Sequence, residues 1–263
     1  MTDPAVDLDR VSQLERLLLK VWPAAETEER GKWVVRASDG FTKRANSAFA
    51  IAQGATLARA DIDALIKYYS HRNQDTVVRL SPLVDPAVFA KLDALGFAAI
   101  EPTYCLFHSD CSVIAGADPT VSHAAAPSEN WVAANGAAYG GIKNRPQQLL
   151  DITRRIACPV SFATVHDGNR EIAWGLAAAT DGWVCLLNLV VDPAWRGAGV
   201  GRRLVRSLID WGVDNGARRC FLQTLQKSTL PSSRAVLTNG AVPLLGMGAG
   251  RLTSNGGSWP FSE

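Results

Sequence analysis

The chain has 263 residues, with 27 Lys and Arg against 25 Asp and Glu and a formal net charge of +2. At roughly 150 residues per domain this length fits one large domain or two small ones, and 47% apolar with 20% charged residues excludes a disordered or fibrous chain. The even charge balance argues against a dedicated nucleic-acid binder, and no apolar run approaches the roughly 18 residues that a membrane span needs.

The opening residues, Met1 to Arg10, are acidic and polar and do not read as a secretory signal, so a soluble, cytoplasmic protein is expected. Val11, Leu14, Leu17 and Leu18 recur at helical spacing and predict a helix over 9–20, stopped at Trp22-Pro23 because proline cannot continue it. Strand-like runs follow at 32–36 and 45–51, on either side of the turn signal Ser38-Asp39-Gly40. A helix is expected over 59–70, with Ile62, Leu65, Ile66 and Tyr69 on one face. After it come a β-branched strand at 76–80, a helix over 86–95 ending at Gly96, and an alternating strand at 99–108.

The stretch from about Asp110 to Pro127 is rich in Ala, Ser, Asp, Gly and Pro and reads as a linker. Beyond it the pattern predicts helices over 129–139 and 146–156, then strands at 160–165, 172–178 and 183–191. A glycine-rich turn at 196–201 leads into a helix over 202–215 and a strand at 220–225. Such alternation predicts an α/β sheet with a parallel pair at the strand–turn–helix–strand unit. Past Ala241 the glycines make 243–250 a poor strand, and 254–258 reads as loop.

Cys105, Cys111, Cys158, Cys185 and Cys220 are odd in number and include no C-x-x-C pair, so buried free thiols are expected. His71, His108, His123 and His166 match no zinc spacing, and no metal is expected.

The most informative stretch runs from Leu189-Val190-Val191 through Asp192-Pro193 to Arg196-Gly197-Ala198-Gly199-Val200-Gly201-Arg202. A strand ends, a glycine loop follows, and a helix begins. Loop N–H groups can converge there on one point, and the helix N-terminus adds partial positive charge, which suits a pyrophosphate. Arg202 and Arg203 stand at the mouth of the loop, either to charge the site or as solvated surface residues. A Walker A loop needs Gly-Lys-Ser/Thr, and here Arg202-Arg203 follows Gly201. The dinucleotide fingerprint fails as well, because Arg202 stands where its last glycine would fall after Gly197 and Gly199, and no acidic residue lies near 220 to hold a ribose.

What remains, Arg196-x-x-Gly199-x-Gly201 behind a Val-Val-Asp-Pro strand end, resembles the acetyl-CoA pyrophosphate loop of the GNAT superfamily of N-acyltransferases. The resemblance covers about 112–240. It implies an α/β (α+β) fold with a mixed, centrally splayed sheet flanked by helices. The strand 183–191 would be the one that splays, with Leu189, Val190 and Val191 contacting the acyl and pantetheine portion through their backbone. Residues 196–202 would hold the pyrophosphate.

The segments Trp33-Val34-Val35-Arg36 and Gly40 to Ser47 resemble the leading half of a bacterial two-part GNAT group, and Leu92 to Phe97 resembles a GNAT helix–Gly-Phe–strand ending. Two GNAT-like halves are therefore expected: a degenerate one at 1–111, a linker at 112–127, and an acetyl-CoA-binding one at 128–263. The resemblance implies an acetyl-CoA-dependent N-acetyltransferase. Its partners would be acetyl-CoA, as co-substrate, and a primary amine on a small molecule or protein lysine. Nucleic acid and membrane are not expected partners, and the chain would act as a monomer or homodimer.

The catalytic residues are left unassigned. Cys185 falls near the place where some relatives carry a glutamate base, among apolar neighbours that favour a core thiol. Asn188 and Asp192 are candidates to position a water, with turn chemistry an equal reading for Asp192-Pro193. Trp195 is a candidate for the mouth of the cofactor slot. Arg36, Arg44, Asn46 and Ser47 either face the acceptor site or form a sheet's polar face. Near the end, Ser228 or Thr229 and Val236 stand where the superfamily has an asparagine and the tyrosine that protonates the departing thiolate, and Pro231 disfavours a helix. A changed reading frame near codon 230 or true divergence would each account for this. A CoA-binding protein without transferase activity is the alternative function, and the glycine spacing disfavours an oxidoreductase.

Overall fold

The computed structural model describes residues 7–138, 145–225 and 240–249. Helix α1 (Leu8–Val21) opens at Asp7, whose carboxylate accepts from the Arg10 amide at 2.9 Å and so satisfies one of the orphan donors of a helix start. Its stripe of Val11, Leu14, Leu17, Leu18 and Val21 is buried. Each such side chain contributes about 1.5–3 kcal/mol when fully buried, so packing rather than propensity holds α1 on the sheet.

Strand β1 (Glu26–Arg30) pairs with β2 (Trp33–Ala37) across Gly31 at φ 60°. The sequence did not announce β1, because Glu-Thr-Glu-Glu-Arg has no apolar alternation. It is an edge strand, where exposed charge blocks pairing with further chains. The expected strand at 45–51 is shorter, since 43–45 form a 3₁₀ turn and only β3 (Ala48–Ala50) pairs. Helix α2 (Arg59–Ser70) crosses to β4 (Thr76–Leu80), which runs parallel to β3. Helix α3 (Ala87–Ala94) closes at Gly96, φ +79°, where the Gly96 and Phe97 amides donate to Asp93 and Leu92 carbonyls at 2.9 and 3.0 Å, the glycine-dependent helix stop expected there. Strand β5 (Ala98–His108) follows.

The segment read as linker contains a strand. β6 (Val121–Ala124) pairs antiparallel with β7 (Val160–Asp167) at the other edge of the sheet. Its brevity and the polar pair Ser122-His123 hid any periodicity. Helices α4 (Glu129–Ala138) and α5 (Arg145–Arg154) precede β7, and then come β8 (Arg170–Thr180), β9 (Trp183–Val191), α6 (Val200–Asp214), β10 (Arg219–Leu225) and β11 (Gly240–Ala249).

The strands form one mixed sheet in the order β1-β2-β3-β4-β11-β5-β10-β9-β8-β7-β6. β11 corrects the expectation of a poor strand at 243–250. It pairs antiparallel with β4 on one side and β5 on the other, with a register shift between Leu244 and Gly246. Backbone ladders on both edges supply what glycine withholds as a strand former, and glycine in a strand commonly marks such an irregularity. The late strand thus lies inside the early half of the sheet, while early β5 borders late β10.

The interior follows the same plan. One core joins Leu14, Leu18, Trp22, Leu65 and Tyr69 to Trp131, Trp183 and Cys185. A second lies between the sheet and α6, with Val184, Leu186, Leu204 and Leu208 among its members. Among the described residues, no helix is long and apolar enough to cross a membrane.

Candidate active site

β9 and β10 run parallel and pair from Trp183 with Arg219 to Leu186 with Leu222. Beyond that point β9 continues to Val191 and β10 to Leu225 without pairing to each other. A gap therefore opens between them in the centre of the sheet. On its other side β9 pairs with β8, and the register shifts so that Trp174 faces Val190 and Leu176 faces Leu187. Gly175 thus stands opposite both Asn188 and Leu189, and Asn188 takes φ +52°. Of the predicted contact residues here, Leu189 and Val190 are half-buried and Val191 is buried.

Past Val191, Asp192 shapes the turn. One carboxylate oxygen accepts from the Ala194 amide and the other pairs with Arg170, both at 2.9 Å. The Ala194 bond, with help from Arg170, holds the Asp192 carboxyl below the usual carboxylate range. Asp192 thus holds the turn through both carboxylate oxygens. Trp195 is half-buried against the α6 core.

Gly197 and Gly199 take φ +80° and +79°, and Gly199 is the N-cap of α6. The Gly199 carbonyl accepts from Arg202 and Arg203 at 3.0 and 3.2 Å. Among the described residues, no acceptor faces the N–H groups of Gly197, Ala198, Gly199, Val200 and Gly201. These unclaimed donors cluster at a helix N-terminus, an arrangement that binds phosphate.

The arginines around the loop divide. Arg196 donates its Nε to the Val191 carbonyl at 3.3 Å, and Arg202 is exposed. Arg203 is engaged elsewhere, with Asp118 at 3.4 Å and the Thr120 hydroxyl at 3.1 Å. It braces the connecting segment rather than the loop.

The other candidates lie elsewhere in the fold. Cys185 is buried, and burial pushes its thiol far above the ordinary range. Arg36 is fully buried and donates to the carbonyls of Trp22 and Arg44, tying down the end of α1. Burial, reinforced by the Arg79 charge, lowers its pKa to about 9. Asn46 accepts from the Ser38 and Gly40 amides at 2.6 and 3.0 Å and donates to the Phe41 and Thr42 carbonyls at 2.8 and 2.9 Å, which fixes the loop 38–42. Arg44 lies 5.5 Å over the Trp22 ring, and Ser47 is buried. Ser228, Thr229, Pro231 and Val236 fall outside the described residues.

Sequence reasoning reads Trp131 of α4 as core, where it is buried, and passes over Asn135. Trp131 donates Nε1 to the Gly175 carbonyl at 3.0 Å and Asn135 donates Nδ2 to the Trp131 carbonyl at 3.1 Å, so α4 is fastened to the strand pair at its register shift. A buried tryptophan with an indole N–H needs a partner, but its identity is set by tertiary contact and is not written locally.

The chain is similar to known proteins over most of its length. A family model described as probable histone acetyltransferase Rv0428c C-terminal matches residues 10–240. The chain is 27% identical over 231 residues to the uncharacterized N-acetyltransferase YobR of Bacillus subtilis (strain 168), covering 84% of this chain and 90% of that protein. Among solved structures it resembles a GCN5-related N-acetyltransferase from Kribbella flavida, with TM-score 0.66, 13% identity and coverage of 93% and 96% of the two chains. It also resembles a tandem GNAT protein from the clavulanic acid biosynthesis pathway, with TM-score 0.51, 11% identity and coverage of 96% and 91%.

Proposed function

The chain belongs to the family described as probable histone acetyltransferase Rv0428c C-terminal, and from that premise we propose that it moves the acetyl group of acetyl-CoA directly to a primary amine of a small molecule or a protein lysine. It carries the GNAT fold and is an acyltransferase. The observation that carries the reading is the opening of β9 away from β10 directly before the loop of unclaimed amides. Leu189, Val190 and Val191 would line the acyl and pantetheine portion with their backbone. The pyrophosphate would lie on Arg196, Gly197, Ala198, Gly199, Val200, Gly201 and Arg202.

Direct transfer needs two substrates held in register, donors for the developing oxyanion, and loss of a proton from the attacking amine. The slot and loop supply the first. Cys185 is buried in the core and Asp192 is held by the Ala194 amide and Arg170, which supports loss of the proton to water. Residues 1–111 would act as the supporting half, 112–127 as the connection and 128–263 as the cofactor-binding half. Cytoplasmic location fits five free cysteines, and the chain would work as monomer or homodimer without nucleic acid or membrane.

Titration calorimetry with acetyl-CoA tests the reading. The wild type binds one equivalent, and Gly199→Val, which forces a β-branched residue to φ +79°, weakens binding by about tenfold or more. Equal affinity in the two proteins would place the cofactor elsewhere.

A further inference from the structure

The two faces of the sheet beside the slot are filled differently. Gly175 of β8 faces α6, since a Cβ there would stand 2.9 to 3.3 Å from side-chain atoms of Leu189, Leu208 and Leu204. Trp174, one residue earlier, packs instead with the core that holds Trp131 and Leu176, and it is the register partner of Val190. Paired residues share a face, so Trp174 and Val190 lie on the side away from α6. With α6 packed against one side of β9, the acceptor is left with the other. Trp174 is half-buried there, and so is Glu171, whose Oε2 accepts from Trp174 Nε1 at 2.9 Å. Among the described residues, no cation pairs with this carboxylate and none lies over the Trp174 ring. Its neighbour Arg170 is held by Asp192 at 2.9 Å. His166, its partner across the strands, meets the Ser122 hydroxyl at 2.9 Å.

A carboxylate drawn partly out of water without a counterion is costly, and both its charge and the adjacent indole face attract a cation. We propose that Glu171 and Trp174 hold a second positive charge on the acceptor, distal to the amine that is acetylated. This rests on the acetyl-transfer reading above and narrows its acceptor to molecules that carry two cationic groups. The register sets their separation. The slot opens at Leu187, about 10 Å along β9 from Val190, and Trp174 stands one strand, about 5 Å, further out. A span on the order of 10 Å suits two amines at the ends of a short alkyl chain. An amine with an apolar tail would desolvate the carboxylate there and give it no partner.

The experiment uses the full chain, acetyl-CoA and two acceptors of equal length, 1,6-diaminohexane and hexylamine, with CoA thiol release as the rate. The wild type is expected to favour the diamine about tenfold in kcat/KM, well beyond the gain from its second amine as an extra target. The preference should lie in KM rather than kcat, because the distal charge is held equally in the ground and transition states. Glu171→Gln keeps an oxygen for the Trp174 indole and removes the charge. It is expected to raise KM for the diamine by about tenfold and to keep its acetyl-CoA affinity in calorimetry. A wild type without the preference, or a Glu171→Gln that retains it, overturns this proposal and leaves acetyl transfer standing. A Glu171→Gln that also loses acetyl-CoA affinity counts against it, by placing Glu171 in the support of the slot. A wild type that binds no acetyl-CoA, or binds it and releases no CoA to either amine, overturns the transfer reading and this proposal with it.

Discussion

Gly197 and Gly199 have no atom within 4 Å of the place a Cβ would take. What they supply is therefore the backbone angle, which costs an L-residue about 1–2 kcal/mol, rather than clearance from neighbours. That requirement is written in the residue type, and so the loop could be read from sequence alone. Asn188 is also a candidate there, but that its carboxamide is buried without a partner depends on tertiary packing and is not written locally. His123 is a similar case. Its ring bridges the Ser161 and Ser207 hydroxyls at 2.7 and 2.9 Å, joining β6 and β7 to α6. Burial lowers its pKa from the ordinary value, so the folded state prefers neutral histidine. The corresponding stability is present above the unfolded histidine value of about 6.5 and is lost as pH falls through the lower folded value. Urea denaturation at pH 7.5 and pH 5 should therefore show a larger loss for wild type than for His123→Gln. Equal losses would remove His123 from the acid response.

Among the elements, α6 does most to place the loop, and Gly212 lets it lie close on β9. A Cβ at Gly212 would stand 2.6 Å from Val184 Cβ. Alanine is the better helix former by about 1 kcal/mol, but Val184 is β-branched and held within the sheet, so it has little room to yield. Overpacking of this kind costs about 1–3 kcal/mol. Gly212→Ala is thus expected to lower stability in chemical denaturation, and a stabilised variant would show that α6 can shift freely. Elements with a strong period were legible, as α1, α2, α6 and β7 to β10 demonstrate. β1, β6 and β11 were not. β1 is charged along an edge, β6 is four residues long, and β11 owes its place to backbone ladders on both sides rather than to its glycine-rich side chains.

Taken whole, the molecule is one continuous sheet rather than two closed ones. β11 enters between β4 and β5, β5 borders β10, and one core runs from α1 to Trp131 and Trp183. That β11 pairs with β4 and β5 could not be read from the repeated order of helices and strands, since long-range pairing leaves no local pattern. Amine-dependent release of CoA thiol from acetyl-CoA, with mass spectrometry of the amine, tests acetyl transfer most directly. Transfer predicts thiol release that rises with amine concentration and an amine heavier by one acetyl group. Acetyl-CoA binding with no amine-dependent release across primary amines and lysine peptides would contradict it and leave a CoA-binding protein.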